Sequence, residues 1–167
     1  DNRIACSLEN KVIAFKQIGD RLKVETAKGI DIDCDMVIMS AGIKPESWLA
    51  ESAGIQLGQK GGIVVDASMK TSNPHIYAVG DAVEVKDFIS GRPAMIPLAG
   101  PANKQGRIAA DNAMGGKSVF KGTLGTSILK LFDLSVATTG ANERFLEENN
   151  IPCMVCYTHS NSHAEYY

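Results

Sequence analysis

The sequence predicts a mixed α/β fold, and three observations support this prediction. Residues 11–40 contain short segments in which polar and apolar residues alternate, as is typical of antiparallel strands. Residues 76–79 are apolar and end in Gly80-Asp81, as a strand does that places a carboxylate at the C-terminal edge of an open α/β sheet, where ligands bind. Residues 102–114 have the spacing of a helix and are followed by two glycines.

Composition narrows the class of protein. The chain has 167 residues, enough for one ordinary domain, with 44% hydrophobic and 22% charged residues. A net charge of −2 gives no electrostatic reason to expect nucleic acid or an anionic membrane as a partner. No apolar run approaches the roughly 20 residues needed to span a bilayer.

The N-terminus lacks a basic region followed by an apolar one, so we expect a cytoplasmic protein without a signal peptide. There is no initiator methionine, and a strand is predicted soon after residue 1, so we expect a piece of a longer protein. We expect the four cysteines, Cys6, Cys34, Cys153 and Cys156, to be reduced and mostly buried.

The first part of the chain is predicted to be an antiparallel β meander. Its strands are residues 12–15, 21–26 and 30–33, with a hairpin turn at Gly19-Asp20. The continuously apolar residues 36–39 predict a further strand, buried on both faces.

This further strand is followed by Ser40-Ala41-Gly42. Small residues after a strand are typical of a place where backbone approaches a ligand, although a simple exit into a loop explains them as well.

The middle of the chain contains the stretch with the clearest site pattern. We predict a helix over 46–53 with Gly54 as its C-cap residue, and strands over 61–66 and 76–79. Gly80 lets the backbone approach a ligand, and the carboxylate of Asp81 can accept hydrogen bonds from sugar-like hydroxyls. An ordinary turn is the alternative.

The helix predicted over 102–114 has Pro101 in its first turn, where proline is tolerated. Its start presents unpaired N–H groups and the positive end of the helix dipole, which suit an electron-rich ligand. The alternative is a packing helix without a ligand. Later strands are predicted over 123–131, 136–139 and 153–158, and a helix over 142–149 begins with Asn142 as a capping side chain.

Two constellations are tempting as metal or redox sites. Cys153 and Cys156 form a CxxC, but positions three apart in the predicted strand point to opposite faces, so we expect structural cysteines. His159, His163 and Glu165 lie in a polar, turn-like run, so we expect no metal site there.

One continuous segment, residues 71–82, carries a family resemblance. Thr71-Ser-Asn-Pro-His-Ile-Tyr-Ala-Val-Gly-Asp-Ala82 resembles the second FAD-binding motif of the pyridine nucleotide–disulfide oxidoreductases. The resemblance implies that Asp81 holds the flavin ribityl chain and that the backbone at Ala82, after Gly80, approaches the pyrophosphate.

The same resemblance extends to two neighbouring segments. Pro97, Leu98 and Ala99 match the positions at which a helix points at the pyrimidine end of the flavin, where its field would stabilise negative charge on the reduced ring. Ala41 and Gly42 match the segment that passes beside the nicotinamide of NAD(P)H.

Residues 83–86, 96–107 and 161–163 resemble the branch that contains the coenzyme A-disulfide reductases and their NADH oxidase relatives. This implies that Asn103 lies near coenzyme A. It also implies that Tyr166 or Tyr167 reaches across a homodimer to the partner's substrate sulfur, where a phenol can donate a proton to a departing thiolate.

The resemblance also implies a domain organisation. Residues 1–45 would be the C-terminal part of an NAD(P)-binding domain, residues 46–118 a returning segment of an FAD-binding domain, and residues 119–167 the beginning of a C-terminal dimerisation domain. The fold class is then α/β, with portions of two Rossmann-like nucleotide-binding domains and a β meander, followed by the start of an α+β domain.

Residues 1–167 contain no GxGxxG, and none of the four cysteines has the context of a flavin-linked redox cysteine. We therefore expect the C-terminal part of an FAD-dependent NAD(P)H:disulfide oxidoreductase that is similar to the coenzyme A-disulfide reductases, and we expect the isolated chain to be inactive. The alternatives are an NADH oxidase or peroxidase, acting on oxygen or peroxide through a cysteine sulfenic acid, and a non-catalytic dimerisation or binding module.

Overall fold

The computed structural model describes residues 4–159, and these form two compact units whose boundary lies between Ile43 and Lys44. The first unit is an antiparallel sheet with the strand order β1-β2-β3. Its strands are β1 (Val12–Ile18), β2 (Arg21–Thr26) and β3 (Ile32–Cys34). The predicted meander is therefore confirmed.

The prediction of a further strand over residues 36–39 is wrong. This segment has no regular structure, and Met36, Ile38 and Met39 are 71%, 78% and 70% exposed. A strand needs a neighbouring backbone to satisfy its N–H and C=O groups, and no strand within residues 4–159 pairs with this segment.

The second unit begins with helix α1 (Trp48–Ser52), shorter than the predicted 46–53. Gly54 has a φ of 71° and donates its N–H to the carbonyl of Glu51, as expected for a residue after a helix C-terminus. A small mixed sheet follows, with the order β4-β5-β6. It consists of β4 (Ile63–Val64), β5 (Val83–Lys86) and β6 (Pro93–Ala94).

Of the two strands predicted in this unit, one is confirmed in shorter form and one is incorrect. The strand predicted over 61–66 is shortened to β4, whereas the one predicted over 76–79 is reduced to an isolated bridge between Lys70 and Tyr77. Residues 76–79 bond through backbone to the 69–71 segment on one side, while β5 takes the place beside β4. Strand β5 was not predicted from the sequence.

Helix α2 (Ala99–Ala113) confirms the predicted helix and begins earlier than expected. It packs on the core of this unit through Ile108. The core consists of buried side chains from three segments and one helix: Met69, Val83, Val85, Ile108 and Phe120.

The last part of the described chain is a hairpin and a short helix. Strands β7 (Ser127–Leu131) and β8 (Leu134–Thr138) are antiparallel, and helix α3 (Glu143–Glu148) follows them. The side chain of Asn142 accepts a hydrogen bond from the N–H of Phe145 at 2.9 Å, which confirms the predicted cap.

The prediction of a strand over 153–158 is wrong. The prediction that the cysteines are mostly buried is also wrong. Residues 151–159 have no regular structure, and Cys6, Cys153 and Cys156 are exposed, while Cys34 is partly buried. Without a pairing strand, the segment has no face directed into a core. Within residues 4–159, none of the helices has the length and apolar character needed to cross a bilayer.

Candidate functional site

The turn at residues 80–82 joins the bridge at Tyr77 to strand β5, and backbone contacts fix its conformation. Gly80 has a φ of 94°, which residues other than glycine rarely adopt. The carbonyl of Gly80 accepts from the N–H of Val83 at 3.4 Å, and that of Ala82 accepts from the N–H of Ile63 at 2.8 Å. The parallel pairing of β4 and β5 thus places this turn at one end of the small sheet.

The Asp81 carboxylate accepts no hydrogen bond from the described residues, and Asp81 is exposed, whereas Gly80 and Ala82 are half-buried. A methyl group built on Gly80 would meet no atom within 4 Å. Glycine is therefore required here by its backbone conformation, while the space beside it is open. An exposed carboxylate next to open space can accept hydrogen bonds from a polyhydroxyl ligand.

Helix α2 begins without a capping side chain. Its N-cap residue is Leu98, in extended conformation, and it provides no side-chain hydrogen bond to the helix. The first intrahelical bond runs from the N–H of Ala102 to the carbonyl of Leu98, and Pro101 has no N–H. The N–H groups of Ala99 and Gly100 therefore have no acceptor in the helix, and both residues are exposed.

These N–H groups mark the positive end of a helix that spans 15 residues. Pro97 is exposed and Leu98 half-buried beside them. The predicted positions Pro97, Leu98 and Ala99 thus lie at the start of a helix whose open N–H groups can donate to an electron-rich ligand.

Gln105 joins the turn to the helix, and the sequence analysis missed it. Its side chain is on α2, only 2% exposed, and its Oε1 accepts the N–H of Gly80 at 2.9 Å. Its position three residues before Ile108, on the core-facing side of the helix, was the signal in the sequence that a polar side chain is buried here.

Asn103 lies on an exposed groove of α2, of about 510 Å³, which Gly106 and Arg107 also line. Its Nδ2 donates to the carbonyl of Ala99 at 2.9 Å, so its Oδ1 is the atom open to a ligand. Arg107 lies one turn further along and brings a positive charge to the same groove.

The other predicted site residues lie apart from this turn in sequence. Ala41 and Gly42 are exposed in the first unit, and Gly42 has a φ of 93°. Tyr166 and Tyr167 lie outside the described residues, as do His163 and Glu165.

Two acidic residues near a different cavity have shifted pKa values. Burial raises the pKa of Asp66, but hydrogen bonds from Ser68 and from the N–H of Lys70 outweigh it, so the pKa is lowered. The pKa of Asp87 is lowered in the same way, with burial opposed by bonds from Ser90 and the N–H of Ile89. Both carboxylates line a cavity of about 670 Å³ that contains none of the predicted site residues. Their oxygens serve loop structure, and we assign them no role in the site.

The residues at the turn and the helix start fit FAD. The ribityl chain offers hydroxyls that can donate to the Asp81 carboxylate, and the pyrimidine end of the isoalloxazine ring, which takes up negative charge on reduction, suits open N–H donors. The open space beside Gly80 and the uncapped start of α2 are the observations on which this fit depends.

Comparisons with known proteins give a consistent result. A family model described as pyridine nucleotide-disulphide oxidoreductase matches residues 1–106. The coenzyme A disulfide reductase of Staphylococcus haemolyticus is 34% identical over an alignment of 167 positions, which covers 99% of this chain and 35% of that protein. The NADH oxidase of Methanocaldococcus jannaschii is 38% identical over 135 residues, covering 81% of this chain and 30% of that protein.

Among solved structures, the reduced CoADR-RHD of Bacillus anthracis matches with a TM-score of 0.88 and 51% identity, covering 95% of this chain and 28% of that one. The chain spans about a third of the length of the curated relatives it matches.

Proposed function

The chain belongs to the pyridine nucleotide-disulphide oxidoreductase family, and we propose that it is the C-terminal part of an FAD-dependent NAD(P)H:disulfide oxidoreductase of the coenzyme A-disulfide reductase type. The observation that carries the proposal is the juxtaposition, through Gln105, of the Gly80–Asp81 turn and helix α2 with its uncapped start. The proposed domains are those expected from the sequence: 1–45, 46–118 and 119–167.

In this proposal, Asp81 accepts hydrogen bonds from the ribityl hydroxyls, and the backbone at Gly80 and Ala82 lies beside the pyrophosphate. Pro97, Leu98 and Ala99 form the helix start that faces the pyrimidine end of the ring. When bound, FAD would supply a hydride acceptor that passes electrons onward in pairs.

The chain's own contribution to the chemistry is electrostatic. The N–H groups of Ala99 and Gly100 are held by the helix in fixed orientation, so no reorganisation is needed when negative charge develops in front of them. Such preorganised donors favour the reduced, anionic state of a ring over its neutral state.

The remaining assignments are proposed on the resemblance together with exposure. Ala41 and Gly42 would lie beside the nicotinamide of NAD(P)H, since both have exposed backbone. Asn103 would contact the coenzyme A moiety from the groove it shares with Arg107. Tyr166 or Tyr167 would donate a proton to the departing thiolate.

The electron acceptor is proposed to be coenzyme A disulfide, because a relative named coenzyme A disulfide reductase aligns over 99% of this chain. An NADH oxidase or peroxidase is the second candidate, and the name of the Methanocaldococcus relative favours it. None of the four cysteines of this chain has the context expected of the family's redox cysteine, so these residues do not decide between the two acceptors.

We also propose a cytoplasmic homodimer. The β7–β8 hairpin supports an interface, because cross-strand neighbours share a face of a sheet. One face carries four exposed apolar side chains: Leu129, Leu131, Leu134 and Val136. Contiguous apolar surface of this kind is typical of a protein interface.

The first test is the intact mass and absorbance spectrum of the protein from its native source. We expect a mass far above that of 167 residues, with a flavin band. Turnover with coenzyme A disulfide, oxygen and peroxide would then identify the acceptor. A colourless protein with the mass of this chain would leave a non-catalytic module as the answer.

The second test is Asp81→Ala in the full-length protein. Loss of charge-assisted hydrogen bonds should raise the FAD dissociation constant by about tenfold or more. Glu51→Ala, which removes an exposed acid on α1, is the matched control and should leave the constant unchanged. Equal constants for Asp81→Ala and wild type would remove Asp81 from the site.

A further inference from the structure

We infer that Gln105 is a positioning residue for the flavin, whose buried amide fixes the Gly80–Asp81 turn relative to the start of helix α2. This inference rests on the proposed function. It assigns to Gln105 the relative placement of two binding elements that come from separate segments of the chain.

The contact itself is specific. Gln105 is 2% exposed, and its Oε1 lies 2.9 Å from the N of Gly80, which donates the hydrogen bond. The hydrogen bond is partly buried, and a backbone N–H that is shielded from water needs an acceptor. Among residues 4–159 the Gln105 side chain supplies the one for Gly80.

The contacts that hold the turn divide into two kinds. The carbonyls of Gly80 and Ala82 accept from Val83 and Ile63, which belong to the sheet. Gln105 is the residue whose side-chain hydrogen bond joins the turn to α2 within the described part of the chain. Removing it should leave the turn attached to the sheet and free to shift relative to the helix.

Such a shift matters because the negative Asp81 carboxylate and the positive start of helix α2 would act on the same flavin. Gln105 is six residues after Ala99, so it lies roughly 9 Å along the helix axis from the open N–H groups. The Asp81 carboxylate follows Gly80 directly in sequence. A one-ångström displacement of the turn would therefore misalign the carboxylate with the ribityl chain while the ring faces the helix start.

Helix α2 offers a matched control at its other end. The Nδ2 of Asn112 donates to the carbonyls of Ser68 and Ser118 at 3.0 and 2.8 Å, and its Oδ1 accepts from the N–H of Ser118 at 2.9 Å. Asn112 thus anchors the same helix with more hydrogen bonds but touches neither the turn nor the helix start.

The experiment compares Gln105→Met, Gln105→Glu and Asn112→Leu in the full-length protein. Three quantities are measured: the dissociation constant of FAD from the apoprotein by flavin fluorescence, the midpoint potential of the bound flavin, and the melting temperature of the apoprotein. Met has similar length and no comparable acceptor, whereas Glu keeps an acceptor oxygen.

We expect Gln105→Met to raise the FAD dissociation constant at least tenfold and to shift the flavin potential. Gln105→Glu should recover most of the lost affinity. Asn112→Leu should lower the melting temperature at least as much as Gln105→Met, with an FAD constant within twofold of wild type.

A twofold or smaller change of the FAD constant in Gln105→Met, or equal changes in Gln105→Met and Asn112→Leu, would overturn the inference while the proposed function stands. Absence of FAD binding by the wild-type full-length protein would overturn both.

Discussion

At the scale of single residues, the backbone of Gly80 is the most constrained feature of the proposed site. Its φ of 94° lies in a region that residues with a side chain rarely adopt. No neighbouring atom restricts the space beside it. The requirement for glycine is therefore conformational rather than steric.

Gly80→Ala should lower the free energy of unfolding by about 1–3 kcal/mol, because alanine is strained at this φ. It should also weaken FAD binding, since relief of the strain moves Asp81. Chemical denaturation and an FAD titration measure the two effects. The control is Gly106→Ala inside α2, where nothing lies within 4 Å of the added methyl group. It should raise stability by about 0.5–1 kcal/mol. Equal effects of the two substitutions would contradict the prediction.

Asp66 gives a prediction about pH. Its side chain accepts three hydrogen bonds, all at Oδ1. The donors are the N–H and Oγ of Ser68 and the N–H of Lys70. They outweigh the effect of burial and lower the pKa of Asp66, so the folded state binds the proton more weakly than the unfolded chain. The charge therefore stabilises the fold above the ordinary carboxyl pKa of about 4 and loses this effect as the pH falls through the folded pKa.

Asp66→Asn can keep an Oδ1 acceptor while it removes the charge. We expect it to cost about 0.5–1 kcal/mol near pH 7, because the carboxylate is exposed, and progressively less as the pH falls below about 4 and through the folded pKa. Unfolding free energies of the two proteins at several pH values measure this difference. Asp66→Ala, which removes the acceptor as well, should remain destabilising at both neutral and acidic pH. A difference between wild type and Asp66→Asn that does not change with pH would show that the charge is not involved.

At the scale of elements, helix α3 depends on its cap. It has six residues, too few for stability by itself, and none of its residues is buried. The hydrogen bond from the N–H of Phe145 to Asn142 thus contributes a large share of what keeps it helical.

Asn142→Ala should lower stability by about 1 kcal/mol, whereas Asn142→Ser should lie within a few tenths of wild type, because serine also caps helices well. Hydrogen exchange of the amides at residues 145–148 would report the local loss. Equal protection in both variants would mean that tertiary contacts, rather than the cap, hold α3.

At the scale of the whole molecule, the described residues leave much apolar surface exposed. Besides the hairpin face, Met36, Ile38 and Trp48 are more than half exposed. Contiguous exposed apolar surface, such as the hairpin face, is typical of an interface, so we expect a second subunit or another part of the protein to cover it.

Leu129→Asp tests the proposed dimer face. It places a charge among the apolar side chains of the hairpin and should convert the full-length dimer into folded monomer, as measured by sedimentation with circular dichroism. Ser135→Asp, on the opposite face and paired with Lys130, should leave the dimer intact. If Leu129→Asp unfolds the protein without releasing folded monomer, this face belongs to the interior of a single subunit.

The sequence by itself determined the elements that are stabilised locally. The meander, the cap at Asn142, the turn at Gly54 and helix α2 all depend on residues that are close in sequence, so their patterns are readable without the fold. The motif at residues 71–82 identified the family in the same way, because its chemistry is contained in one continuous segment.

Tertiary structure decided which segments become strands and which side chains meet. Residues 36–39, 76–79 and 153–158 have apolar patterns, yet a strand forms only where another backbone pairs with it, and pairing is a property of distant segments. Gln105 meets Gly80 across 25 positions for the same reason. A sequence pattern reports what a residue can bond to, and the fold alone brings the partner to it.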